Sequence, residues 1–193
     1  MAINIQRTGF GQIEPNHLSA QRNGKIYAQL PAHIKKASGT ELEMKDSITI
    51  LENGQFAKYD YANGEVNFNT APESGEWMLV YNEVKLYDSK EFYKDFALKA
   101  SNYTEGVITP RLLKTDVGDI FTTNAIKVGN VAGNVKLSDT DKVVLTKGDL
   151  LTVGANGFLV SGGDINSDDF VWQVVEETTM PDGDNAVKVR RVK

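Results

Sequence analysis

Two imidazoles, His17 and His33, are the only histidines in the chain, and there is no cysteine. The lack of thiols removes thiolate nucleophiles, disulfide frameworks and Cys-ligated zinc together. Neither histidine stands in a sequence pattern of nucleophile, base and orienting acid. His17 also lies in an irregular stretch, where a catalytic geometry would be hard to hold. Asp164-Ile165-Asn166-Ser167-Asp168 opens like a calcium loop. Such a loop needs Gly at its sixth position and a bidentate Glu at its twelfth. Asp169 and Val175 stand there instead, so an acidic turn is the better reading. Gly129-Asn130-Val131-Ala132-Gly133-Asn134 lacks the Gly-Lys-Ser/Thr of a phosphate loop and the spaced glycines of a dinucleotide fingerprint. Carboxylate pairs such as Glu73 with Glu76, or Glu176 with Glu177, occur by chance in any acidic β protein, although glycosidases use such pairs across a cleft. The sequence therefore predicts no catalytic residue, no metal site, no cofactor and no enzyme. Trp77, Tyr59, Tyr61 and Trp172 offer the one alternative, a sugar-stacking platform; on alternating strands such residues are more often core or interface aromatics.

The chain has 193 residues and a formal net charge of −5. That length supports a proper core without disulfides or metals. The charge argues against nucleic acid, which selects basic surfaces. The basic clusters are His33-Ile34-Lys35-Lys36 and Lys188-Val189-Arg190-Arg191-Val192-Lys193. The second alternates with Val187 and Val189, as the solvated face of a terminal strand would. Met1 to Arg7 has neither the apolar core nor the cleavage pattern of a secretory signal. The longest apolar runs, such as Trp77-Met78-Leu79-Val80-Tyr81, are far short of a membrane span. The expectation is a cytoplasmically made protein that reaches no membrane by itself.

The elements that would position these side chains are mostly strands. Residues 1–44 read as an extended N-terminal arm, punctuated by Gly9, Gly11, Pro15, Asn16 and Gly24. Two placements are open to it: docking on a neighbouring subunit, or packing on its own domain. Residues 45–114 read as a mixed β region. Asn53-Gly54 and Asn63-Gly64 mark hairpin turns, because Asn-Gly accepts positive φ at low cost. Within this region Phe92, Tyr93, Phe96, Ala97 and Ala100 share a face at helical spacing, which predicts one amphipathic helix over about 89–100. Residues 115–193 read as a small β-barrel or sandwich-type domain of short strands separated by glycine turns. It closes on a hairpin of residues 170–175 and 186–189 around Met180-Pro181-Asp182-Gly183-Asp184-Asn185. Gly118-Asp119-Ile120-Phe121-Thr122 echoes Gly148-Asp149-Leu150-Leu151-Thr152, and Gly54-Gln55-Phe56 followed by Ala62-Asn63-Gly64 faintly echoes Gly148-Asp149-Leu150 followed by Ala155-Asn156-Gly157. The irregular period argues for reused turn chemistry, not a repeat architecture.

The stretch Lys147-Gly148-Asp149-Leu150-Leu151-Thr152-Val153-Gly154-Ala155-Asn156-Gly157-Phe158-Leu159-Val160 resembles the Gly-Asp…Ala-Asn-Gly hairpin of small bacteriophage capsid decoration proteins. The closing segment, from Phe170-Val171-Trp172-Gln173-Val174-Val175-Glu176 to Val187-Lys188-Val189, is similar to terminal hairpins of phage virion proteins. Gly9-Phe10-Gly11-Gln12-Ile13-Glu14-Pro15-Asn16-His17 looks like a virion-protein arm. The likeness is strongest over 115–193, and the helix near residue 92 has no counterpart in it. The resemblance implies a β-barrel-type structural protein of a tailed-phage capsid, in the decoration, cement or auxiliary head class, without catalytic residues. Its implied partners are the major capsid protein or other virion subunits, together with further copies of itself. The implied location is the virion, after synthesis in the bacterial cytoplasm. The alternative is a fibre or carbohydrate-binding module.

An extended arm can add a strand to a neighbour's sheet. Ile3, Ile5, Phe10 and Ile13 are the expected partner-binding residues on that reading. Removing residues 1–20 should then leave a folded protein that no longer joins its assembly.

Overall fold

The computed structural model describes residues 2–5, 11–20, 26–27, 50–60, 65–67, 76–82, 97–99, 111–127, 143–154 and 157–193. In chain order the strands are β1 (Ile3–Ile5), β2 (Ile13–His17), β3 (Ile26–Tyr27), β4 (Ile50–Glu52), β5 (Phe56–Asp60), β6 (Glu65–Asn67), β7 (Glu76–Val80) and β8 (Ala97–Lys99). They continue as β9 (Leu112–Lys114), β10 (Ile120–Thr123), β11 (Ile126–Lys127), β12 (Val143–Leu145), β13 (Leu150–Val153), β14 (Leu159–Ser161), β15 (Val171–Thr179) and β16 (Asn185–Arg191).

The largest sheet has seven strands in the order β11-β14-β13-β15-β16-β10-β2. Its centre is the long antiparallel β15–β16 hairpin, with a register shift between Val174 and Glu176. A five-stranded sheet runs β3-β9-β7-β5-β6, and the pairs β1-β12 and β4-β8 stand apart. The fold is mainly β, as the turn spacing predicts. Among the described residues the sheets stay open and do not close into a barrel. The end strands are suited to that. β2 carries Pro15, which cannot donate to a further ladder and is confined to edges. β11 is two residues long and pairs parallel with β14.

The sequence echo is one local structure made three times. At Gly118 the backbone φ is +97°, and at Gly148 it is +101°. Each glycine N–H donates to the neighbouring long strand, at Arg191 O (2.9 Å) and Val174 O (2.8 Å). The following Asp carbonyl accepts from the same residue of that strand, at 2.9 Å in both cases. The Asp side chain folds back to cap the turn, with Asp119 Oδ2 taking Asp116 N–H at 2.9 Å and Asp149 Oδ2 taking Thr146 N–H at 2.8 Å. Between Glu52 and Phe56 the same pattern recurs against Val80, with the Gln55 amide oxygen in the place of the carboxylate. These corners feed β5, β10 and β13 into their sheets. Positive φ explains the glycine, and the side-chain acceptor explains Asp or Gln beside it.

Phe56 of β5 meets Phe121 of β10 at 6.2 Å between ring centroids, Phe170 at 5.2 Å and Trp172 of β15 at 5.6 Å. Tilted and edge-on pairs of this kind add about 0.5–1.5 kcal/mol each beyond their area burial. Around them lies one core cluster that includes Ile5, Ile13, Leu79, Leu113, Leu145, Leu151, Val174 and Val189. That single cluster draws on all three stretches, 1–44, 45–114 and 115–193. The inner faces of the two large sheets therefore share a core.

The expected helix over 89–100 lies outside the described residues up to position 96. Its last turn is corrected: Ala97–Lys99 is strand β8, paired antiparallel with β4 through Ile50↔Lys99, Leu51↔Leu98 and Glu52↔Ala97. A distant strand partner overrides local helical spacing here.

Candidate functional site

The N-terminal segment is the expected docking element, and its described strands pair with strands of the same chain. β1 pairs antiparallel with β12 through Ile3↔Leu145, Asn4↔Val144 and Ile5↔Val143. Ile5 and Ile13 are buried in the core, Ile3 packs partly against it, and Phe10 lies outside the described residues. β2 pairs with β10 as the seventh strand of the large sheet. Polar ties reinforce this seating. Gly11 N–H donates to the buried Glu52 carboxylate at 2.6 Å, and Gln12 N–H to Asn124 Oδ1 at 2.7 Å. Thr123 Oγ1 donates to Gln12 O at 2.7 Å, and Ser19 donates twice to Asp119. The tip of the β15–β16 hairpin is held from the same segment. Asp182 Oδ2 accepts from Gln12 Nε2 at 2.6 Å, and Asn185 Nδ2 donates to Asn4 O at 2.7 Å. The described residues of the arm pack on their own domain. Ile5 and Ile13, two of the side chains expected to grip a partner, lie in this chain's interior, and burying each isoleucine is worth about 1.5–3 kcal/mol.

The polar candidates are similarly engaged. In the acidic turn, Asp164 Oδ1 accepts from Asn166 N–H at 2.9 Å, and Asp168 Oδ2 accepts from Asp164 N–H at 2.7 Å. The Asn166 bond is the main reason the Asp164 carboxyl is held below its ordinary value. Among the described residues no group of three or more His, Asp or Glu is placed to hold a metal ion. His17 is exposed at the end of β2, and His33 lies outside the described residues.

Trp172 is wholly buried beside Phe56, Phe121 and Phe170, so it is no part of an exposed sugar platform. Trp77 and Tyr59 are half-buried, and Tyr61 lies outside the described residues. Lys58 sits 5.9 Å from the Trp77 ring centroid, at the outer limit for a cation–π contact.

The basic tail is strand β16 and the residues after it. Val187 and Val189 face the core, Lys188 pairs with Glu176, and Arg190 is exposed. Arg191 turns the other way. Its guanidinium lies 4.3 Å from the Phe170 ring centroid and donates to the Thr115 carbonyl. Burial lowers its pKa, while Glu76, Asp116 and Asp119 oppose that shift.

Several buried polar residues had no distinguishing signal in the sequence. Lys127 is buried with its ammonium 4.0 Å from the Phe158 ring centroid. The Asn53 side chain grips the Asn82 backbone twice, its Nδ2 donating to Asn82 O at 3.3 Å and its Oδ1 accepting Asn82 N–H at 2.7 Å, and Asn82 Oδ1 takes Arg111 N–H at 3.1 Å. Asp119 and Asn53 had visible cues, the repeated Gly-Asp pair and the Asn-Gly turn. Compared with known proteins, the chain matches no family model, no curated protein and no solved structure.

Proposed function

We propose that this chain is a structural, non-enzymatic component of a phage head, of the capsid decoration, cement or auxiliary head class. It acts by binding the assembled shell at subunit junctions. The observation that carries the reading is the Gly-Asp hairpin likeness at 147–160. Within and just past that likeness, β13 (Leu150–Val153) pairs antiparallel with β14 (Leu159–Ser161). A protein that binds only the assembled lattice stabilises it by mass action. Many symmetry-related copies make modest contacts sufficient through avidity. The buried isoleucines of β1 and β2 leave this docking to exposed side chains.

The test is co-sedimentation of the purified chain with assembled capsids and with unassembled capsid subunits, using shells that lack the protein. Saturable binding to shells at a fixed ratio per lattice site, without binding to free subunits, is the expected result. Failure to bind shells, or tight capture of a sugar on a glycan array, would replace this reading with the fibre or carbohydrate-binding alternative.

A further inference from the structure

We draw no further inference here: the strongest candidate, the exposed acidic turn between β14 and β15 with Asp164, Asp168 and Asp169, has its carboxylates facing the turn's own amides and Lys193, and no second observation points to a ligand there.

Discussion

Asp119 accepts hydrogen bonds from both the backbone N–H and the hydroxyl of Ser19, at 2.9 and 2.8 Å, across one hundred residues of chain. The same carboxylate caps its own corner at Asp116 N–H. Asp119 is buried, so its removal would strand several donors away from water. Each buried donor left unsatisfied costs about 1–3 kcal/mol. Asp149 occupies the equivalent place in its corner, but its bonds to Thr146 are solvent-exposed. Asp119→Ala should therefore destabilise the protein by about 3 kcal/mol and Asp149→Ala by about 1 kcal/mol or less. Urea denaturation of both variants measures the difference. Equal losses would show that the corner alone matters and the Ser19 tie does not.

The three corners also differ in what surrounds their glycine. A Cβ on Gly54 would lie 2.6 Å from Ala125 Cβ and 2.9 Å from Thr123 Oγ1, whereas nothing lies within 4 Å at Gly118 or Gly148. All three have positive φ, near +88°, +97° and +101°. Alanine at Gly118 or Gly148 should cost about 1–2 kcal/mol, the ordinary penalty for an L-residue in left-handed backbone. Gly54→Ala adds an overlap with a packed side chain, and overpacking typically costs a further 1–3 kcal/mol or about that. Melting temperatures of the three variants should rank Gly54→Ala lowest. A Gly54→Ala melt matching that of Gly148→Ala would contradict the packing of this corner against β10 and the residues after it.

Turn chemistry was the readable part of this fold. The two Gly-Asp pairs announce their corners because positive φ and a folded-back acceptor are demands on single residues. Asn53-Gly54 announces a turn but not the expected hairpin, since β4 pairs with β8 and β5 with β6 and β7. The alternation of Val187, Lys188, Val189 and Arg190 likewise announces a strand with one buried face. What the sequence hides is pairing at a distance. Ala97 carries a helical spacing with Phe92, Tyr93, Phe96 and Ala100, yet it lies in β8 because β4 offers a ladder. Ile5 and Ile13 sit among glycines and polar residues without a sustained period, so they read as a free arm. Their burial depends on β12 and β10, more than one hundred positions later. Glu52 and Asn124 look like surface residues for the same reason: their partners at Gly11 and Gln12 are remote in sequence.

Acid should act on one exposed pair in a defined direction. Glu176 has its pKa lowered from 4.5, first by the hydrogen bond from Lys188 and then by the Lys188 charge. A carboxyl with a depressed folded value favours the folded state above its ordinary value, and that contribution is lost as pH falls through the depressed one. Lys188→Gln should return the Glu176 midpoint upward to the ordinary range, as read from its side-chain carboxyl NMR shift. The stability difference between the two proteins should be small, present at neutral pH and absent in strong acid. It should also shrink with added salt, because the pair is exposed. An unmoved midpoint in Lys188→Gln would show that Lys188 is not the cause.

The placement of β1 and β2 reverses what truncation should do. An arm that served only a partner could be removed without harm to the fold. Here residues 1–20 contribute Ile5, Ile13, Leu18 and Ala20 to the common core. Their loss would also leave Asp119 without Ser19 and Asn124 Oδ1 without Gln12 N–H. Truncating one buried isoleucine to alanine costs about 2–5 kcal/mol, which approaches the whole stability of many domains. Ile5→Ala and Ile13→Ala should each fall in that range, Ile3→Ala well below it, and deletion of residues 1–20 should abolish cooperative unfolding. Circular dichroism through a urea titration distinguishes these outcomes. A deletion variant that still unfolds cooperatively near the full-length midpoint would mean that the segment is not part of the core. On the proposed capsid-binding role, loss of binding after such a deletion would report unfolding, so that role is tested with exposed substitutions such as Arg190→Glu, in a protein whose melt is unchanged.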